Sequence, residues 1–338
     1  MEKLTKKLKD NIEGVKAVLS AEDILVYGFL TGDGTECAIV YTDGMVDKAL
    51  LGDLAARPLS KLTPENKEKG FTPEEVKQTL LFPELKEETQ LQNIFAEVLD
   101  GNSLLLVDGL ETGLIVGAKL LPVRTVMEPP TDIAVKGPRE GFIEDIKTNM
   151  ALLRKRLKTP DLKFELQKAG KRSQTNIAIC YLDGICDEKV KKEVAARIGE
   201  IDIDCIPDSS YVAAFIAPRK HSIFREVGTT EKPDILAAKM AEGRVGILVD
   251  GSPIALTVPF ILTEDFQSSE DYFVSPFMAT IFRAIRFLAI LIALLLPAFY
   301  VTSQLFKMQL IPLGLMLNIA SSVQGLPLSP SLEMFSIS

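Results

Sequence analysis

The residues best suited to chemistry are four aspartates that each precede a glycine at the end of an apolar run: Asp43-Gly44, Asp108-Gly109, Asp183-Gly184 and Asp250-Gly251. Paired carboxylates such as Asp108 and Asp250 could act as acid and base if a fold brought them together. Neither GxxxxGK[ST] nor GxGxxG surrounds them, so no phosphate-cradling loop is encoded there. Turn chemistry explains each one alone, because Asp-Gly favours a tight reversal between strands. The thiols are no better placed. Cys37, Cys180, Cys186 and Cys205 show no CxxC spacing and His221 is the single histidine, so neither a zinc site nor a redox pair is expected. The cysteines read as small buried residues of a reducing compartment. No catalytic, cofactor-binding or metal site is expected.

The elements that carry these turns occur twice. Ala38, Ile39, Tyr41, Asp43, Gly44, Asp47, Ala55, Ala56 and Arg57 match Ala178, Ile179, Tyr181, Asp183, Gly184, Asp187, Ala195, Ala196 and Arg197 at one constant offset. GNSLLLVDG from Gly101 pairs with GRVGILVDG from Gly243 at nearly the same offset. Each copy reads as a strand (Ala38 to Tyr41, Ala178 to Tyr181) and then a helix with an Asp at its N-cap (Asp47 to Ala56, Asp187 to Ile198). A second helix follows (Leu91 to Leu99, Ile235 to Ala241), then a hairpin across Val-Asp-Gly. The expected fold class is α/β, as two homologous mixed α/β subdomains from an internal duplication, each a small mixed sheet covered by helices. The boundaries read as 1–135, including a linker near Leu120 to Val135, and 136–265, opened by an amphipathic helix.

The chain has 338 residues and a formal net charge of −8, which argues against nucleic acid as a partner. Its start, Met1 to Ile12, is Lys-rich and polar rather than a signal peptide, so the amino-terminal part is expected to be cytoplasmic. Residues 276–338 differ. Phe287 to Val301 carries no charge, and with its shoulders the segment from Ile281 to Phe306 is long enough to cross a bilayer. Arg283 and Arg286 on one flank against Lys307 on the other place the preceding region on the cytoplasmic side. The following Ile311 to Leu328, broken by Pro312 and Gly314, reads as an interfacial or re-entrant piece.

Between the repeats, Phe142, Ile146, Met150, Leu153 and Leu157 recur at helical spacing, predicting an amphipathic helix over Gly141 to Leu157. Lys147, Arg154, Lys155, Arg156 and Lys158 give it a basic face. That face reads as merely solvated, or as docking onto anionic lipid headgroups or a partner's acidic surface. Arg139, Lys147, Arg154, Lys155 and Arg156 are the interaction candidates, and exchanging Arg154 and Arg156 for Glu is expected to leave folding stability within about 1 kcal/mol.

This segment also carries a resemblance. Gly137-Pro138-Arg139-Glu140-Gly141-Phe142 followed by Asn149, Leu152, Leu153, Arg154 and Arg156 is similar to the GPREGF and NxxLLRxR signature of the GerA spore germination family. Further blocks resemble the family in order: Glu128-Pro129-Pro130, TEKPD at Thr230, EGRVGILVDGSP at Glu242, FQSSEDYF at Phe266, LPAFYV at Leu296 and IPLGL at Ile311. The resemblance implies an A-type subunit of a spore germinant receptor, or the related SpoVAF-like subunit, in the spore inner membrane with a cytoplasmic amino-terminal domain. It implies a transporter-like B subunit and a C-type lipoprotein as partners, homo-oligomers, and nutrient-triggered ion release without covalent chemistry or cofactor. Family members continue with further membrane helices, so the chain reads as truncated and is not expected to conduct ions alone. A membrane-tethered scaffold, an assembly factor or a nonfunctional remnant is the alternative.

Overall fold

The computed structural model describes residues 3–64, 70–120, 138–219, 222, 224–265, 274–306, 314 and 321. The chain divides into two compact units, Met1–Leu262 and Thr263–Ser338. The linker over residues 121–135, the Glu128-Pro129-Pro130 and FQSSEDYF blocks, His221 and nearly all of Ile311 to Leu328 lie outside the described residues.

The first half of the larger unit runs α1 (Leu8–Val18), β1 (Ile24–Leu30), β2 (Glu36–Thr42), then α2 (Lys48–Leu51), a π-helical turn (Gly52–Ala56) and α3 (Arg57–Leu59) as one continuous helical stretch. It goes on through α4 (Pro73–Thr79), β3 (Leu85–Glu88), α5 (Leu91–Leu99), β4 (Ser103–Val107) and β5 (Gly113–Val116). The second half comprises α6 (Ile146–Arg156), β6 (Leu162–Ala169), β7 (Thr175–Leu182), α7 (Glu188–Gly199), α8 (Ser209–Ile216), β8 (Gly228–Thr230), α9 (Pro233–Ala241), β9 (Val245–Val249) and β10 (Ala255–Val258). The sheets have the orders β1-β2-β4-β5-β3 and β6-β7-β9-β10-β8, so Tyr41 and Tyr181 occupy like strands.

Each sheet is the middle of three layers, because its inner strands are apolar on both faces and a strand sends alternate side chains to opposite sides. Cys37, Ile39, Leu105 and Val107 pack under α2, α3 and α4, while Ala38, Val40, Leu104 and Leu106 pack against α1 and α5. In the second sheet Ile177, Ile179, Ile247 and Val249 face α7 and α8, and Ala178, Cys180 and Leu248 face α6 and α9.

The α/β expectation holds, but the small mixed sheet does not: every strand pairing is antiparallel. The crossover through α5 makes β3 and β4 run the same way, yet β5 inserts between them, so neither has a parallel neighbour. The crossover through α9 does the same for β8 and β9 around β10.

Sequence-remote contacts make the halves alike at their starts. Asp108 accepts from the Leu8 amide at 2.9 Å, and Asp250 accepts from the Ile146 amide at 3.4 Å, so each aspartate satisfies an orphan amide of a helix in its own half. The Asn11 side chain clamps the Thr5 backbone, and Asn149 clamps Ile143 identically, accepting from its N–H at 2.8 Å and donating to its C=O at 2.5 Å. That clamp and the Asp145 cap on Thr148 N hold 141–145 out of the helix, so α6 begins at Ile146 rather than at Gly141. The smaller unit contains α10 (Pro276–Phe306), a single 31-residue helix through Pro297.

Candidate functional site

α6 joins the two halves. It places Lys147, Met150 and Arg154 one to two helical turns apart, and the loops that begin β1 and follow β2 meet it there. The Arg154 guanidinium is fully buried: Nε and one terminal nitrogen bind both carboxylate oxygens of Asp23 at 2.9 and 2.8 Å. Its remaining bonds go to the carbonyls of Thr159 at 3.0 Å and Leu162 at 3.1 Å, and the Phe164 ring lies 5.2 Å away. Burial raises the Asp23 carboxyl above its ordinary range while the guanidinium pulls it down.

Around this pair the contact is polar and close. Lys147 meets Asp43 at 3.1 Å, with Lys48 on the same carboxylate at 2.6 Å. Lys158 and Lys119 converge on Asp100. Lys163 reaches the Val18 carbonyl at 3.2 Å and Ser20 Oγ at 2.7 Å, and the Leu166 amide donates to Glu22 at 2.9 Å. Gly44, at φ +79°, lies so close to α6 that an added Cβ would sit 2.9 Å from the Lys147 carbonyl oxygen. Burial works against ionisation of Asp43, yet its two lysine partners hold its carboxyl below the usual range.

The basic face of α6 is therefore not the exposed surface the sequence suggested. Arg154 is buried between the halves; Lys155 and Arg156 both close on Glu140 at 2.6 Å and are partly buried; Lys147 is exposed but paired with Asp43. Arg139 is exposed. The helix buries Ile146, Asn149 and every residue from Met150 to Arg154, because the second sheet covers one side and the first half covers another. A signal for this was present: Arg154 stands four residues after Met150, inside the apolar stripe rather than opposite it. Asp23 was missed, since nothing local marks an exposed-looking Asp as the partner of an arginine 131 positions away.

Of the turn aspartates, Asp43, Asp108 and Asp250 make structural contacts. Asp108 and Asp250 each serve a helix of their own half, and the Asn176 side chain donates to Asp250 at 3.2 Å. Among the described residues no group of His, Cys, Asp and Glu is arranged to hold a metal. Burial pushes the Cys37 thiol up to about 12 and the Cys180 thiol higher still, which removes the thiolate that nucleophilic chemistry needs. The geometry is that of a polar contact between the two halves.

Comparison with known proteins identifies the family. The family profile described as Bacillus/Clostridium GerA spore germination protein matches residues 9–338. Spore germination protein KA of Bacillus subtilis is 34% identical over 328 residues, covering 96% of this chain and 60% of that protein. The uncharacterized membrane protein YfkQ of the same organism is 35% identical, over 96% of this chain and 63% of its own length. The chain thus spans about three-fifths of the length of these curated relatives. The crystal structure of the N-terminal domain of the A subunit of the Bacillus megaterium spore germinant receptor GerK3 superposes with a TM-score of 0.58 at 30% identity, over 77% of this chain and 98% of that one. With a profile match over nearly its whole length and two like-ordered antiparallel sheets joined through the signature helix α6, the chain belongs to the GerA family of spore germination proteins.

Proposed function

We propose that the chain is a membrane subunit of a spore germinant receptor. Its larger unit faces the cytoplasm and supports assembly and signal transfer during nutrient-triggered ion release. The observation that carries this reading is α10, in a chain of this family. Its 31 residues rise about 46 Å at 1.5 Å each, more than the roughly 30 Å of a hydrocarbon core. Length and composition make Pro276–Phe299 able to cross a membrane, and a relative is named as a membrane protein. In the spore inner membrane, Arg283 and Arg286 beside the apolar stretch favour a cytoplasmic larger unit.

The function uses binding rather than covalent chemistry. Its partners are a transporter-like B subunit, a C-type lipoprotein, membrane lipid and further copies of the chain. The halves descend from one duplicated unit, a reading supported by the shared strand order and by the matching Asn11 and Asn149 clamps. The buried Arg154–Asp23 pair ties the two halves together, and a displacement of one half would pass to the other through it. Deleting the gene in a spore-former is expected to abolish cation release to at least one nutrient, with return on complementation. Unchanged release to every nutrient tested would overturn the reading.

A further inference from the structure

Among the described residues the two sheets have four edge strands, β1, β3, β6 and β8, and these are not protected alike. An edge presents a row of unpaired amides and carbonyls, which proteins usually blunt with charge, shortness or cover. β3 carries Lys86, Glu87 and Glu88, β6 carries Lys163, Glu165 and Lys168, and β8 is only three residues long. β1 runs for seven residues, Ile24–Leu30, with neither charge nor proline. The duplicated fold shows what a covered edge looks like. Ala38 and Ala178 are matched repeat positions, and their partners across the ladder are Gly28 on β1 and Leu166 on β6. The β6 edge is taken: the Leu166 amide donates to Glu22 at 2.9 Å, and the Leu162 carbonyl accepts from Arg154 at 3.1 Å. At the ends of β1 the Asp43 amide donates to the Asp23 carbonyl and the Thr31 amide to the Thr35 carbonyl, which puts odd-numbered β1 residues in the bonded pairs with β2. The amides and carbonyls of Val26, Gly28 and Leu30 therefore turn outward, where no partner meets them among the described residues.

A groove flanks this edge on each face of the sheet. On the α2 side a cavity of about 290 Å³ is lined by Tyr27, Tyr41, Lys48 and Leu51; on the α1 side one of about 330 Å³ is lined by Leu8, Ile12, Gly28 and Leu30. Tyr27 and Leu30 are more than half exposed. The second half shows which group the α2-side cavity lacks. There the Tyr181 hydroxyl donates to Glu165 at 2.6 Å, and Lys191 Nζ lies 4.4 Å from the centre of the Tyr181 ring. Tyr27 stands in the place of Glu165, since Tyr27 faces Ile39 as Glu165 faces Ile179. The first half thus keeps the tyrosine, Tyr41, and a lysine 5.8 Å from its ring, Lys48, which also pairs with Asp43, but has no carboxylate on the tyrosine among the described residues.

We propose that β1 takes up an extended segment of another protein as a sixth strand of the first sheet. Main-chain hydrogen bonds to Val26, Gly28 and Leu30 hold the segment, and Gly28, without a side chain, leaves the middle of the edge open to a close backbone. Alternate side chains of a strand point to opposite faces, so one set of the segment's side chains enters the α1-side groove and is apolar. The other set meets the α2-side cavity and carries an acidic residue, opposite in charge to Lys48 and an acceptor for the hydroxyls of Tyr27 and Tyr41. The proposal goes beyond the receptor reading and does not depend on it.

The test uses the detergent-solubilised 338-residue chain and a fluorescent probe peptide, Thr-Val-Glu-Leu-Thr-Val-Thr, which sets Glu among threonines on one face and Val and Leu on the other. Binding is read by fluorescence anisotropy, and the edge by amide hydrogen exchange. The peptide is expected to slow exchange over residues 24–31 and in no other strand. N-methylating one alternate set of its amides is expected to weaken binding about tenfold, as loss of two or more hydrogen bonds does, and methylating the other set to leave binding unchanged. Both peptides leave the protein unaltered, so a folding defect cannot imitate the result. Lys48→Glu is expected to weaken binding about threefold, and a peptide with Lys in place of its Glu to recover it on that variant. No binding, equal weakening by the two methylation patterns, or protection confined to other strands would overturn the proposal. So would protection of residues 24–31 that grows with chain concentration in the absence of peptide, which would make a second copy the occupant.

Discussion

Replacing Arg154 by Met removes a buried cation and leaves its partner in place. The side chain makes four hydrogen bonds, two of them to a carboxylate that is itself only 2% exposed. Asp23 would then face a dry site without a counter-charge and must either remain ionised at a high cost or take up a proton. Breaking a buried pair from one side typically costs about 3 to 5 kcal/mol, a hundredfold or more in the folding equilibrium. Removing both charges, as in the double variant Arg154→Met with Asp23→Leu, is expected to return most of that loss, because the penalty belongs to the orphaned charge. Arg154→Glu should be at least as severe as Arg154→Met, since it sets two carboxylates against each other; this reverses the sequence-based expectation that Arg154→Glu together with Arg156→Glu stays within about 1 kcal/mol. Urea unfolding of the detergent-solubilised chain, followed by circular dichroism, measures each value. A loss below about 1 kcal/mol for Arg154→Met, or a double variant no more stable than the single one, would refute the reasoning.

Gly44→Ala and Gly184→Ala have nearly the same φ, +79° and +78°, so both carry a strain of about 1 to 2 kcal/mol, but only Gly44 also faces a 2.9 Å contact. Gly44→Ala should therefore be clearly the less stable, and equal losses would argue against close docking of α6. Asp208 is partly desolvated, yet hydrogen bonds from Ser252, Ser210 and nearby amides hold its carboxyl at about 2. A depressed folded value means stability that is present above the ordinary value near 3.8 and is lost as pH falls toward about 2. Acid titration of the native chain should consequently be steeper in that window than that of Asp208→Asn. Cys205 is exposed and Cys37 buried with its thiol pushed up to about 12, so a maleimide at pH 8 should label Cys205 and leave Cys37 untouched until the chain unfolds.

Local pattern by itself determined much of this protein. The short unbroken apolar runs around Ile39 and Ile179 mark strands, Asp47 and Asp187 mark helix starts, and the span Leu91–Leu99 is a helix with the boundaries its periodicity predicts. The repeated Asp-Gly turns indicated two like halves, and the uncharged stretch in α10 marked a helix long enough to span a bilayer. Periodicity states which residues share a face of a helix; it does not state whether a second surface covers the other face. That is why Arg154 read as solvated when the first half buries it, and why Asp23 was invisible until the chain folded back on itself. Strand direction also lay beyond reach, because the crossovers through α5 and α9 fix it only once β5 and β10 insert between the strands they join. The contrast between covered Gly44 and open Gly184 is decided by tertiary structure alone, since two nearly identical turns differ only in what packs against them.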